Sequence, residues 1–178
     1  MTEKKEKILM TALHLFASKG YDATSTNHIA REAGVSEGLI FRHYTNKEGL
    51  LNAIMGLGRA RVEKVYESIL AIADPSLRLK AILTMPFNIP DSDAPLWKLL
   101  YALKWQRDIY DDSWSTDVRT VLHQTFSELG YADPPSETEF VFLMIDGIAT
   151  GRLLRQPIQL DKIEEIILTK YNLGKNDF

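Results

Sequence analysis

The stretch from Ile29 to Leu51, IAREAGVSEGLIFRHYTNKEGLL, constrains the fold of this chain more than any other. Two short amphipathic segments are separated by AGVS, and a further helical segment begins directly after the second one. Gly34 allows the backbone a left-handed turn, and Val35 can fill the angle between the two short segments. This spacing predicts a helix-turn-helix.

Helical periodicity also recurs before and after this stretch, and no segment shows the alternation that is typical of a strand. A first helix, which ends at Gly20, has an apolar face that can pack against the two short helices. We call this predicted three-helix unit the tripod. Hydroxyl residues stand at the predicted helix starts. They are Thr24, Ser25 or Thr26 for the second helix, Ser36 for the third, and Thr45 for the fourth, where Thr45 and Glu48 form a capping-box pattern.

The rest of the chain is expected to be helical as well. The fourth helix runs from about residue 46 into the low seventies, where Asp74 and Pro75 end it. Further helices are predicted at about 76–85, 96–110, 115–130, 136–155 and 161–171. The pattern therefore predicts an all-α protein. We expect a helix-turn-helix domain at 1–47, joined through the long helix to a second helical domain at 48–178.

The composition narrows the possible environment and partners. The chain contains no cysteine, which excludes disulfides and thiolate zinc sites and favours a reducing cytoplasm. No signal peptide is evident at the N-terminus, and no apolar run is long enough for a membrane span. Although the net charge is −3, residues 1–47 hold seven Lys and Arg against five Asp and Glu. An acidic chain can therefore still carry a locally positive surface.

The predicted outward face of the third helix has the residues that a recognition helix would insert into a major groove. Glycine permits close backbone approach, while arginine and histidine donate to phosphates or base edges. Lys47 and the amides at the start of the fourth helix can hold a phosphate, as can the hydroxyls at the start of the second helix. The candidate DNA contacts are Ser25, Thr26, Ser36, Glu37, Gly38, Arg42, His43 and Lys47.

The order TSTNHIAREAGVSEGLIFRHYTNKEGLL resembles the DNA-binding region of TetR-family transcriptional regulators, and the resemblance extends over about residues 8–51. It implies a small domain that binds operator DNA and a larger one that dimerises and holds an inducer. Carried over by motif position, the DNA contacts would be Ser25, Ser36, Glu37, Gly38, Phe41, His43 and Lys47. Two residues depart from the family pattern, since a small residue is usual at Leu39 and tyrosine is common at Phe41.

Aromatic residues follow one helical stripe in the second half of the chain. Trp97, Tyr101 and Trp105 are spaced four apart, and Phe87 and Tyr110 lie nearby in the sequence. Core packing explains such a stripe. A pocket for an apolar or aromatic small molecule explains it as well, and the family resemblance favours that interpretation for some of these residues. No cofactor or metal site is predicted.

The segment FVFLMIDGIATGRLL is apolar on nearly all sides, which predicts burial in a core or by a partner. Gly147 and Gly151 open a groove for close backbone approach, and the last helix gathers isoleucines on one face. The resemblance implies that two such helices pair with their copies in a homodimer. The candidate interface residues are Gly147, Gly151, Leu154, Ile163, Ile166 and Ile167. Burial within one chain is the alternative.

These observations lead to one main hypothesis of function and two alternatives. The first is a transcriptional regulator, most often a repressor, that a small-molecule ligand releases from its operator. The alternatives are a helical small-molecule carrier and a protein-interaction module, neither of which binds DNA. An enzyme is not expected, because the chain has no cysteine nucleophile, no phosphate-cradling glycine loop and no clustered histidines and carboxylates.

Overall fold

The computed structural model describes residues 2–104, 113–154 and 159–174, and its regular elements within these ranges are all helical. This confirms the predicted all-α class, and most helix ends lie within a few residues of the expected positions. The elements are α1 (Glu3–Lys19), α2 (Thr26–Ala33), α3 (Glu37–Tyr44), α4 (Lys47–Leu70), α5 (Pro75–Thr84), a 3-10 turn (Met85–Phe87), α6 (Ala94–Leu103), α7 (Ser113–Glu128), α8 (Pro134–Leu154) and α9 (Leu160–Lys170).

Local chemistry accounts for the ends of several helices. The Ser25 side chain caps α2 by accepting from the backbone amide of His28 at 3.1 Å. Gly34 ends α2 with a φ of 67°, which a glycine adopts without strain. Asp74 caps α5 by accepting from the amides of the second and third helical residues, while Pro75 occupies the first helical position.

The predicted capping box at the start of α4 is wrong. Thr45 ends α3 instead, with a φ of 67°, and its backbone amide donates to the Phe41 carbonyl. The cap is the next residue, Asn46, whose Oδ1 accepts from the Gly49 amide at 2.7 Å. A residue with a positive φ lacks the extended backbone that places a side chain over the first turn of a helix. The helix α4 therefore begins one residue later than the capping-box pattern predicts, at Lys47, and two residues separate it from α3.

The helices pack into two compact units, each with its own hydrophobic core. Unit 1 contains α1, α2, α3, the part of α4 that ends at Arg61, and α6. Its core includes the fully buried Ile8, Phe16, Ile29 and Ile40. The leucines of α6 also join this core, and they are Leu96, Leu99 and Leu103. The division into domains at 1–47 and 48–178 stays a prediction about function, because packing alone groups α6 with the N-terminal helices.

Unit 2 contains α4 from Val62 onward, α5, the 3-10 turn, α7, α8 and α9. Its core is built around Leu83, Leu122, Phe126 and Val141. A buried arginine, Arg78, ties α5 to α7 by donating to the Thr125 hydroxyl at 2.8 Å and to the Glu128 carboxylate. No helix within the described ranges is long and apolar enough to cross a bilayer.

Candidate DNA-binding interface

The tripod forms in unit 1 as the apolar pattern predicts. Ile29 and Ala33 of α2 and Ile40 of α3 are buried against Leu13 and Phe16 of α1. Val35 and Leu39 are partly buried at the edge of the same core. Because the apolar sides of α2 and α3 face inward, their opposite sides are left at the surface.

A tyrosine fixes α3 against α1. The Tyr44 ring is buried, and its hydroxyl donates to the backbone carbonyl of Lys5 at 2.7 Å. Burial raises the pKa of the Tyr44 hydroxyl, so this group stays protonated and keeps its role as a donor. The C-terminal end of α3 is therefore held to α1 by a specific bond as well as by packing.

The surface of α3 carries the predicted reading residues. Ser36, Gly38, Phe41 and Arg42 are exposed, and His43 is half-buried. Phe41 is 45% exposed, which is unusual for a large apolar side chain. Ser36 occupies the N-cap position without a capping bond from its side chain, so its hydroxyl is available to a phosphate. The guanidinium of Arg42 makes no ion pair with any other residue that the structure describes.

Lys47 lies at the first position of α4, where helix amides and the helix dipole favour an anion. Its ammonium group lies 4.2 Å from the ring centroid of Tyr21 and donates to the Asp22 carbonyl at 3.4 Å. Burial raises the pKa of the Tyr21 hydroxyl, and the carboxylates of Glu48 and Asp22 raise it further. Tyr21 therefore remains a neutral platform that holds the Lys47 ammonium beside the tripod.

The two residues Thr26 and Glu37 contact each other at the surface. The Thr26 hydroxyl donates to Glu37 Oε1 at 2.6 Å, which links the first turn of α2 to the first turn of α3. The sequence pattern predicts both residues at the interface, with Thr26 as a phosphate ligand. It does not predict the bond between them, because helix periodicity alone does not show which surface residues of two helices approach each other.

All nine predicted DNA contacts thus lie at or near the surface of one unit. They come from three places, the start of α2, the exposed side of α3 and the start of α4. The site combines Arg42, His43 and Lys47 with the carboxylate of Glu37. Such a surface can hold phosphates at helix starts and present side chains to base edges between them. Among the described residues, no group of three or more His, Cys, Asp or Glu side chains is placed to hold a metal ion.

The predicted ligand residues do not gather in one unit. Trp97 and Tyr101 belong to α6 of unit 1, where Tyr101 is buried and Trp97 is half-buried. Phe87 belongs to unit 2 and is partly buried against its core. The predictions for Trp105 and Tyr110 lie outside the described residues. A ligand pocket along this stripe therefore stays a prediction.

The predicted dimer residues fall into two groups. Gly147, Leu154 and Ile166 are exposed, whereas Gly151 and Ile167 are buried within unit 2, and Ile163 is half-buried. The structure adds two apolar residues that were not singled out from the sequence. Phe140 is 54% exposed and Leu143 is 65% exposed. Their spacing with Gly147 and Leu154 follows the three- and four-residue steps of one helix face, and this signal was present in the sequence.

Comparison with known proteins points to one family for the N-terminal region. A family model described as bacterial regulatory proteins of the tetR family matches residues 8–54. The HTH-type transcriptional regulator YerO of Bacillus subtilis (strain 168) is 49% identical over 73 residues, which cover 39% of this chain and 25% of YerO. The chain spans about a quarter of the length of the curated relatives it matches.

Solved structures match nearly the whole chain. The regulator PfmR from Thermus thermophilus, described as a TetR family transcriptional regulator, has a TM-score of 0.71 at 21% identity, with 100% of both chains covered. AibR, solved in complex with isovaleryl coenzyme A and operator DNA, also has a TM-score of 0.71. It is 22% identical and covers 97% of this chain, which covers 100% of AibR. At identities this low, the structural matches establish that the fold is shared and nothing further.

Proposed function

We infer, from the match of residues 8–54 to the tetR family of bacterial regulatory proteins, that this chain is a TetR-family transcriptional regulator that binds operator DNA. The observation that carries the inference is the surface of unit 1, where nine predicted contacts surround the exposed side of a short helix. A repressor is the form we propose, with neither an enzymatic activity nor a cofactor. We also propose that it acts in the cytoplasm.

In the proposed complex, α3 enters the major groove with its N-terminal half against the base edges. Gly38 allows close approach, Phe41 offers its ring to a thymine methyl group, and Arg42 and His43 donate to bases or phosphates. Ser25 and Ser36 donate to flanking phosphates from helix starts. Lys47 binds a phosphate on the other side of the helix, with its ammonium released from the Tyr21 ring.

A small-molecule ligand is proposed to regulate this binding. The helix α6 supports the proposal, because its leucines lie in the core of unit 1 while Trp97 remains partly accessible on the same helix. A ligand that contacts α6 thereby contacts the unit that holds the recognition helix. Release requires that the ligand prefer a conformation with lower affinity for DNA. The complex of AibR with isovaleryl coenzyme A makes acyl-coenzyme A thioesters the first class to test.

The protein is proposed to act as a homodimer through α8 and α9. The exposed apolar side chains of these helices, Phe140, Leu143, Leu154 and Ile166, support a partner surface in unit 2. A twofold dimer would place two recognition helices about 34–36 Å apart, which matches successive major grooves of one operator.

The proposal is tested by measuring affinity for random duplex DNA at several salt concentrations. Each phosphate contact contributes a slope of about −0.9 to the log–log plot, so a total slope of several units is expected. A selection of bound sequences from a random duplex pool should then return a two-part site with twofold symmetry. A carrier or a protein-interaction module would show no duplex binding even in low salt.

The ligand is tested separately with isovaleryl coenzyme A as the probe. Its addition should lower the affinity for the selected operator, and free coenzyme A serves as the control for the nucleotide part. An operator affinity that isovaleryl and longer acyl-coenzyme A thioesters leave unchanged would argue against this ligand class. It would leave the proposed binding of DNA intact.

A further inference from the structure

In the contact between Thr26 and Glu37, one carboxylate oxygen of Glu37 accepts a hydrogen bond and the other does not. Thr26 Oγ1 donates to Glu37 Oε1 at 2.6 Å, and the two side chains are both half-buried. Glu37 Oε2 makes no hydrogen bond with any residue that the structure describes. A carboxylate that is bonded through one oxygen has lost much of its freedom to rotate. The open oxygen is therefore held in a defined direction at the first turn of α3.

The chemistry of that oxygen selects among base edges. A carboxylate can only accept hydrogen bonds, so it needs a donor. In the major groove, guanine presents two acceptors and thymine presents one. These acceptor atoms repel a carboxylate. Adenine offers its N6 amino group next to the N7 acceptor, while cytosine offers its N4 amino group without a neighbouring acceptor of its own. Cytosine is thus the base that suits a fixed carboxylate best.

We propose that Thr26 is a positioning residue that orients the Glu37 carboxylate to accept a hydrogen bond from the N4 amino group of a cytosine in the operator half-site. The inference rests on the proposed function and adds a specific base to it. It also assigns the Thr26 hydroxyl a role in sequence preference, in place of the phosphate contact predicted from the sequence. The orienting bond exists before DNA binds, so the reading residue is preorganised.

The test uses a panel of duplexes derived from the selected operator, in which each half-site base pair is changed in turn. Wild-type protein should prefer cytosine at one position of each half-site, by roughly tenfold over thymine. Thr26→Val keeps the shape of the side chain but removes the hydroxyl. It should lose most of that preference, which is measured as the ratio of its affinities for the cytosine duplex and the thymine duplex. Thr26→Ser retains the hydroxyl and should restore the preference.

Glu37→Gln provides an independent measurement that does not depend on how well Thr26→Val folds. A glutamine amide offers a donor and an acceptor, which suit adenine N6 and N7. The preferred base at the same position should therefore move from cytosine to adenine. Thr120→Val is the matched control, since it removes a hydroxyl that is bonded to a backbone carbonyl within α7 of unit 2. It should leave the whole panel unchanged.

Four outcomes would contradict the proposal or the function on which it rests. Full cytosine preference in Thr26→Val overturns the positioning role, because a merely structural bond would alter stability without altering the base preference. A wild-type panel with no cytosine preference, or an unchanged preference in Glu37→Gln, overturns the assignment of Glu37 as the reading residue. Absence of any duplex binding by the wild-type protein in low salt would instead contradict the proposed function itself.

Discussion

At the scale of single residues, Gly49 has the closest steric contact among the glycines of unit 1. A Cβ atom built on this residue would overlap the carbonyl oxygen of Tyr44, far inside any real contact distance. That same carbonyl accepts from the Asn46 amide at 2.7 Å, so the turn between α3 and α4 has no room to open. The close approach explains why glycine stands in the first turn of a helix, where its flexibility is otherwise a cost.

Gly49→Ala is expected to destabilise the protein by about 1–3 kcal/mol, because the backbone at the turn must shift to relieve the overlap. Urea unfolding monitored by circular dichroism measures the change. Gly56→Ala is the matched control in the same helix, since nothing lies within 4 Å of its added Cβ. Gly56→Ala should raise the free energy of unfolding by up to about 1 kcal/mol, because alanine has a higher helix propensity than glycine. Equal stability of the two variants would show that the turn tolerates a side chain.

Lys47 is expected to contribute affinity without sequence preference. Lys47→Ala should weaken binding to all duplexes alike and reduce the salt slope by about 1, because one phosphate contact is lost. Filter binding or fluorescence anisotropy over a salt series measures both quantities. Lys98→Ala removes the same charge from an exposed position on α6 and serves as the control. Unchanged affinity of Lys47→Ala in low salt would contradict the proposed placement of this side chain.

Sequence reasoning succeeded for residues whose role depends on local chemistry. A hydroxyl cap for α2, which Ser25 supplies among the three predicted candidates, and Gly34 as the turn residue follow from preferences that act within a few positions. It failed at Thr45, because the positive φ of that residue depends on how α3 ends against α4. The bond from Thr26 to Glu37 also cannot be predicted from local sequence preferences, since the partners are eleven residues apart on different helices.

At the scale of helices, the pattern predicted where elements lie but not which core each one joins. The predicted helix at 96–110 begins at Ala94 in the structure, yet its leucines are buried with α1 and not with the later helices. Periodicity identifies an apolar face without identifying its partner. The same limit applies to α8, where the buried side and the exposed apolar side both contain large hydrophobic residues.

The end of α9 is joined to the start of α8 by a tyrosine whose ionisation should matter at alkaline pH. The Tyr171 hydroxyl donates to Glu137 Oε2 at 3.2 Å, and its ring packs near Phe126 and Tyr131. Burial raises the pKa of Tyr171 well above 10.0, the value of an ordinary tyrosine, and the Glu137 carboxylate raises it further. The folded state therefore holds this proton more tightly than the unfolded state does.

Because the folded-state pKa is the higher one, the contribution of Tyr171 to stability is intact below pH 10 and is lost progressively above it. The free energy of unfolding should fall as pH rises beyond about 10. In Tyr171→Phe this decline should be shallower, although the variant loses a hydrogen bond and starts from a stability lower by about 1 kcal/mol. Urea unfolding at a series of pH values measures the slope. The same slope in both proteins would assign the decline to other tyrosines.

At the scale of the whole molecule, proposed recognition of a two-part operator depends on two copies of the chain. Unit 2 exposes a row of apolar side chains along α8 at Phe140, Leu143 and Leu154, with Gly147 between them, and Ile166 on α9 is 55% exposed. Isolated exposed apolar residues are ordinary, but a row at helical spacing on one face is typical of a surface that a partner covers. Linking two DNA-binding domains in one dimer raises the affinity for a paired site by orders of magnitude.

Leu143→Glu is therefore expected to dissociate the proposed dimer, because it places a charge at the most exposed apolar position of the row. Sedimentation should show a mass of 20.2 kDa for the variant and twice that for the wild-type protein. Affinity for the two-part operator should fall by roughly 100-fold, with little change for a single half-site. Leu77→Glu alters a 40%-exposed leucine on α5 of the same unit, outside the row, and should leave both measurements unchanged. A wild-type chain that sediments as a monomer at micromolar concentration, or a Leu143→Glu protein that stays dimeric, would show that this row is not the dimer interface.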